Sequence, residues 1–168
     1  MRHLILLALL IATGTLGALG QTGLRIGSQA PQFTGSAIDG TDYDLNQMRG
    51  SVVVVTFWST RCAICKAELP KVNRLIQGYE GKNVVFLAMT SESEDRIGNY
   101  LTANPQAAHV MPNSFGAVLQ YADRDRAGNL QITFPAFFVI DQEGRIAYRD
   151  NGWDRTAPLG AAINGLLR

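Results

Sequence analysis

The sequence predicts an α/β fold. Two features carry that expectation: a pair of apolar, β-branched runs with an amphipathic segment between them, and a late β-rich run that turns back on itself. Val52 to Trp58 (VVVVTFW) shows no polar alternation, which is the pattern of a strand covered on both faces and places it as a central parallel strand. Asn83 to Met89 (NVVFLAM) repeats the pattern. Between them Leu69, Val72, Leu75 and Ile76 share one helical face that runs out near Gly78 and Gly81, so residues 52 to 89 form a β-α-β unit. Pro70, inside that helix, predicts a kink.

The other elements follow in order. The chain opens Met1-Arg2-His3, then LILLALLIATGTLGALG: a positive start, an apolar run and a small-residue close, as in a signal peptide cleaved after Gly20. No charged side chain lies between His3 and Arg25, so residues 1–20 also suit an uncleaved N-terminal membrane anchor, although Gly14, Gly17 and Gly20 count against it. Both readings place a single domain, residues 21–168, outside the cytoplasm. FTGSAIDGTDYDL reads as two short strands about an Asp39-Gly40 turn, a small N-terminal β-hairpin. After the β-α-β unit, Ser91 with Glu94 predicts a capping box opening a helix toward Ala103, which Asn104-Pro105 closes. A short strand is expected near Val110 and a helix from Phe115 to Ala122. Phe137 to Ile140 and Arg145 to Asp150 pair about the turn Asp141 to Gly144, and Ala157 to Leu167 closes the chain as a helix.

With 168 residues, 46% hydrophobic and 17% charged, the chain can bury one core without a covalent staple. The net charge is +1, and without Arg2 there are 14 basic against 14 acidic side chains and no basic block, which argues against a nucleic-acid partner.

The only two cysteines lie in WSTRCAICKAELP, where the first strand turns into the helix. A four-residue disulfide loop would contribute only about 2 kcal/mol, a weak reason for a staple. A structural zinc site needs four ligands, and the only histidine outside the leader is His109; two thiolates alone could still hold Cu(I). Exchange chemistry fits the position better, because a helix N-terminus points unpaired N–H groups and a positive dipole end at the first cysteine. On this reading Cys62 is the exposed nucleophile and Cys65 the shielded resolver.

Phe57-Trp58, the two cysteines, Glu68-Leu69-Pro70, Phe134-Pro135 and the run Ile140-Asp141-x-x-Gly144-Arg145-Ile146 come in an order that resembles the TlpA/ResA-like thiol:disulfide oxidoreductases, over residues 26 to 168. Gly27-x-x-Ala30-Pro31-x-Phe33 and Leu45 to Gly50 are similar to the opening of that family. The resemblance implies a thioredoxin-like fold, a central mixed sheet flanked by helices, with the hairpin as an N-terminal extension. It implies a redox-active disulfide between Cys62 and Cys65, no other cofactor and no metal. It gives Pro135 a cis peptide bond against the dithiol and makes Trp58, Arg61, Phe134 and Pro135 the substrate-facing set. Glu68 becomes an acid/base group; a surface Glu68–Lys71 pair is the alternative. Thr56 stands where thioredoxins carry a buried aspartate.

Two departures from the family are Arg61, where an aromatic residue usually precedes the first cysteine, and Leu130 to Phe134, which lacks the glycine common before the proline. The implied partners are protein thiols or disulfides, with an upstream membrane electron donor. A peroxiredoxin-like peroxidase and a copper-binding module remain the alternatives. Val55 stands where the peroxidase motif has proline, and the copper proteins of this fold space their cysteines one residue further apart.

Overall fold

The computed structural model describes residues 24–167, so the leader expected at 1–20 lies outside the described residues. Its centre is β3 (Val52–Phe57), paired on both edges. One edge runs parallel to β4 (Val84–Met89), in the register Val52 to Val84 through Phe57 to Met89. The other runs antiparallel to β8 (Ala136–Ile140), pairing Thr56 with Phe137 and Phe57 with Ala136. Beyond β4 lies β5 (His109–Met111), parallel, and beyond β8 lies β9 (Ile146–Asn151), antiparallel. The order β5-β4-β3-β8-β9 is a mixed sheet, as the resemblance implies.

The absence of alternation in β3 has its reason here. Val52 and Val54 pack with Tyr79, Phe137, Leu159 and Ile163 on one face, while Val53, Val55 and Phe57 pack with Phe33, Tyr121 and Phe138 on the other. The first face is covered by α1 (Ala63–Gln77) and α4 (Thr156–Leu166), whose close approach is marked by the Tyr79 hydroxyl donating to the Gly160 carbonyl at 3.0 Å. The second is covered by α3 (Phe115–Tyr121) and the N-terminal segment. There β1 (Thr34–Ser36) and β2 (Asp42–Asp44) form the expected hairpin, with Gly40 at φ 83°. The hairpin tip is tied to the sheet edge by Ile38 N–H to the Val110 carbonyl at 2.9 Å and by the His109–Asp39 pair. The hydrogen bond from His109, then that from the Thr41 amide, pulls the Asp39 carboxyl down to about 2.

One local expectation changes, and two details are added. The helix α2 (Glu94–Ala103) is N-capped by Ser93 rather than Ser91, and no side-chain hydrogen bond makes a capping box. Pro70 lies within an α1 that continues to Gln77, so it costs one bond at the Lys66 carbonyl without ending the helix. A two-residue ribbon, β6 (Asp123–Arg124) with β7 (Leu130–Gln131), turns at Gly128 (φ 86°) in the stretch before Pro135.

Candidate active site

The dithiol is built by the end of β3. Trp58 N–H donates to the Met89 carbonyl, which continues the parallel ladder one step past the strand. The chain then turns through Ser59 to Arg61, closed by Cys62 N–H to the Ser59 carbonyl at 3.1 Å. Cys62 is the N-cap of α1 in an extended conformation (φ −84°, ψ 103°), and its Sγ accepts a hydrogen bond from Cys65 N–H at 3.0 Å. One orphan donor of the helix start therefore points at the first sulfur, where a thiolate would be stabilised. Cys62 is half-buried and Cys65 is 8% exposed. The two are joined as a disulfide, with Cα atoms 5.2 Å apart.

Glu68 sits one helical turn beyond Cys65 and is 1% exposed. Its Oε1 accepts from Lys71 Nζ at 3.0 Å and its Oε2 from Asp154 N–H at 3.1 Å. The i,i+3 pair with Lys71 thus exists, but its acid is buried, so the surface-pair alternative is corrected: this is a paired carboxylate in the interior. With Trp58, Cys65, Tyr100, Pro135 and Phe137, Glu68 lines a pocket with about 30 Å³ of room. In the same wall the Trp58 indole N–H is buried and has no hydrogen-bond partner among the described residues.

The Phe134–Pro135 peptide bond is cis, and Pro135 is buried beside Cys65 in that pocket. The Pro135 carbonyl accepts from Gly152 N–H at 2.8 Å. Phe134 and Cys62 both pack against the buried cluster that holds Trp58 and Cys65. The structure therefore brings together Trp58, Cys62, Cys65, Glu68, Phe134 and Pro135. Arg61 stands apart: it is exposed on the turn before Cys62, its N–H donates to Ser59 Oγ, and it forms no ion pair among the described residues. Thr56 also lines the pocket.

Sequence reading missed Glu92. Its carboxylate accepts from both the backbone N–H and the hydroxyl of Thr60, each at 2.7 Å, and pairs with Arg96 Nε at 3.2 Å. Burial pushes this carboxyl up, but the two Thr60 hydrogen bonds and the Arg96 charge outweigh it and leave the group below its ordinary range. Glu92 thereby pins the turn that delivers Cys62. The only sequence signal was its i,i+4 spacing to Arg96. Glu92→Gln should loosen the turn by about 1–2 kcal/mol, seen as faster hydrogen exchange at the Thr60 amide. A carboxyl lowered by folding stabilises the fold above its unfolded value, so wild-type protection should fade only as pH falls through the lowered value. Unchanged exchange at Thr60 in the variant would remove Glu92 from this role.

Residues 26–149 match the family model described as the AhpC/TSA family. The chain is similar to the thiol-disulfide oxidoreductase ResA of Geobacillus thermodenitrificans, with 31% identity over 150 residues, 87% of this chain and 83% of that protein. The chain is a TlpA/ResA-like member of the AhpC/TSA family. ResA of Bacillus cereus is 26% identical over 152 residues, 86% of this chain and 84% of the relative. Among solved structures, the thioredoxin domain of a thiol-disulfide oxidoreductase from Bacteroides vulgatus superposes with a TM-score of 0.70 at 20% identity, over 87% of this chain and 100% of that one. The fold and the Cys-x-x-Cys pair are those of a thioredoxin-like oxidoreductase. Among the described residues no group of three His, Cys, Asp or Glu side chains is arranged to hold a metal.

Proposed function

We propose that this chain is an exported thiol:disulfide oxidoreductase that reduces protein disulfides through Cys62 and Cys65. One observation carries the reading: a half-exposed cysteine N-caps α1 and its partner is buried one turn in, bonded to it. In the reduced protein the Cys62 thiolate attacks a substrate disulfide, and one substrate sulfur leaves with the bonding pair and takes up a proton. Cys65 then gives its proton to Glu68 and attacks Cys62 Sγ. The mixed disulfide breaks, the second substrate sulfur leaves as a thiolate and takes up a proton, and two electrons have passed to the substrate.

Trp58, Arg61, Phe134 and Pro135 are the set that meets the partner's strand; Pro135 shares the pocket with Cys65, and Phe134 packs on the cluster that holds Trp58 and Cys65. A membrane-borne electron donor returns the pair to the dithiol. The apolar leader supports an extracytoplasmic, periplasmic location, with the domain released or held by its N-terminal segment. Among the described residues no helix is long and apolar enough to cross a membrane.

The decisive assay gives the reduced full-length protein a protein disulfide such as insulin and, separately, hydrogen peroxide. Stoichiometric oxidation of Cys62 and Cys65 with release of insulin thiols is expected. The AhpC/TSA match favours one competing reading, a peroxidase; peroxide consumed faster than insulin is reduced would put it in place of this one. Tight Cu(I) retention without insulin reduction would favour the binding module.

A further inference from the structure

We propose that Lys71, clasped between Glu68 and Asp154 under the ring of Trp153, is a positioning residue that sets the ionisation of Glu68 and so the pH range in which Cys65 resolves the mixed disulfide. The inference rests on the reading of Glu68 as the base for Cys65.

A carboxylate that is 1% exposed is costly unless it is paired and hydrogen-bonded. Glu68 has two donors, Lys71 Nζ and the Asp154 backbone N–H. The charged and titratable groups facing it are few. From α1 there are Cys65 and Lys71, from the loop after β9 there is Asp154, and from α2 across the pocket there is Tyr100. β3 contributes Thr56, β8 contributes Phe137 and the residue before β8 is Pro135, none of them charged. Lys71 is therefore the one cation among these groups.

Its own geometry is that of a shared counter-ion. Nζ is 3.0 Å from Glu68 Oε1 and 3.0 Å from Asp154 Oδ1, and lies 4.9 Å from the centre of the Trp153 ring. The lysine is held more firmly in its charged form, first by the Asp154 hydrogen bond and then by that of Glu68. When Glu68 takes the proton of Cys65, Lys71 keeps Asp154 as its partner, so no ammonium is left unpaired. Asp154 makes this possible through an unusual backbone. At φ 58° its N–H reaches Glu68 while its carboxylate reaches Lys71. Asparagine tolerates that conformation, which makes Asp154→Asn a clean removal of charge.

The two charges act on Glu68 with opposite sign. The Lys71 ammonium favours the ionised acid, and the Asp154 carboxylate disfavours it and competes for the lysine. In the reduced full-length protein, dithiobis(nitrobenzoate) releases one thionitrobenzoate when Cys62 attacks and a second when Cys65 resolves, so the second phase reads the resolving step alone. At the pH where the wild-type second phase runs at half its plateau, Lys71→Met should slow it about fivefold, as a shift of one pH unit implies. Asp154→Asn should speed it about 1.5-fold, and Lys71→Arg should stay within about twofold of wild type, with the exposure of both partners limiting the effects. A clasp that was only structural would move the methionine and asparagine variants in the same direction; that result, or no movement in either, overturns the proposal. A wild type with no second phase would instead overturn the reading of the dithiol on which it rests.

Discussion

Replacing Cys65 with serine should yield a protein that reacts once with a disulfide and then stops, holding its substrate on Cys62. Access and reach separate the two sulfurs. Cys62 is half-buried at the cap of α1, where the Cys65 N–H already points at its sulfur, whereas Cys65 is 8% exposed and belongs to a buried cluster with Trp58, Ile97 and Val110. An incoming disulfide can meet the first sulfur and not the second. Resolution is then intramolecular, and losing it removes the large effective concentration of a fixed neighbour, so turnover should fall by at least about a hundredfold. Non-reducing electrophoresis of the purified variant after exposure to insulin should show a ladder of adducts that thiol reagents dissolve. Cys62→Ser should show neither turnover nor adducts. If that variant trapped substrate and Cys65→Ser did not, the two roles would be exchanged.

The part of this site that could be read from sequence is the part that is local in the chain. Four valines in a row state that β3 is covered on both faces, and the cysteines follow directly, so strand, turn and helix cap were legible together. Glu68 is one helical turn from Cys65, and its place there is equally local. What the sequence did not show depends on contacts between distant residues. Glu92 meets Thr60 from 32 residues away, and Asp154 meets Glu68 from 86. Nothing in the pattern Ser91-Glu92-Ser93-Glu94 states which serine caps the helix or which glutamate turns back. The sheet shifts the choice to Ser93 because Asn113 N–H takes the Glu92 carbonyl and holds this segment against the end of β5. The burial of Glu68 was hidden for the same reason: the loop that covers it starts after Asn151, the end of β9, which lies opposite Ala136 in the ladder between β8 and β9.

Phe57→Ala should cost about 3–5 kcal/mol of stability and lower the melting temperature by roughly 10–15 °C. Phe57 is fully buried at the last position of β3. Its ring lies 5.2 Å from that of Tyr121 and 6.0 Å, edge-on, from that of Phe138, while Tyr121 and Phe138 meet edge-on at 5.0 Å. Three aromatic rings from β3, α3 and β8 thus support one another, and such pairs add to the area they bury. The Tyr121 hydroxyl, bonded to the Pro31 carbonyl at 2.9 Å, fixes the ring that would have to move to fill the space left by Phe57, so the site cannot collapse cheaply. The gap would open directly behind the catalytic edge, since Phe57 pairs with Ala136, next to Pro135, and precedes Trp58 in the pocket wall. Phe57→Leu keeps most of the volume and should cost distinctly less than the alanine variant. Thermal melts of the two reduced variants against wild type measure the difference. A loss below about 1 kcal/mol in Phe57→Ala would mean that Tyr121 and Phe138 close the gap, and that β3 is held by its two ladders rather than by this cluster.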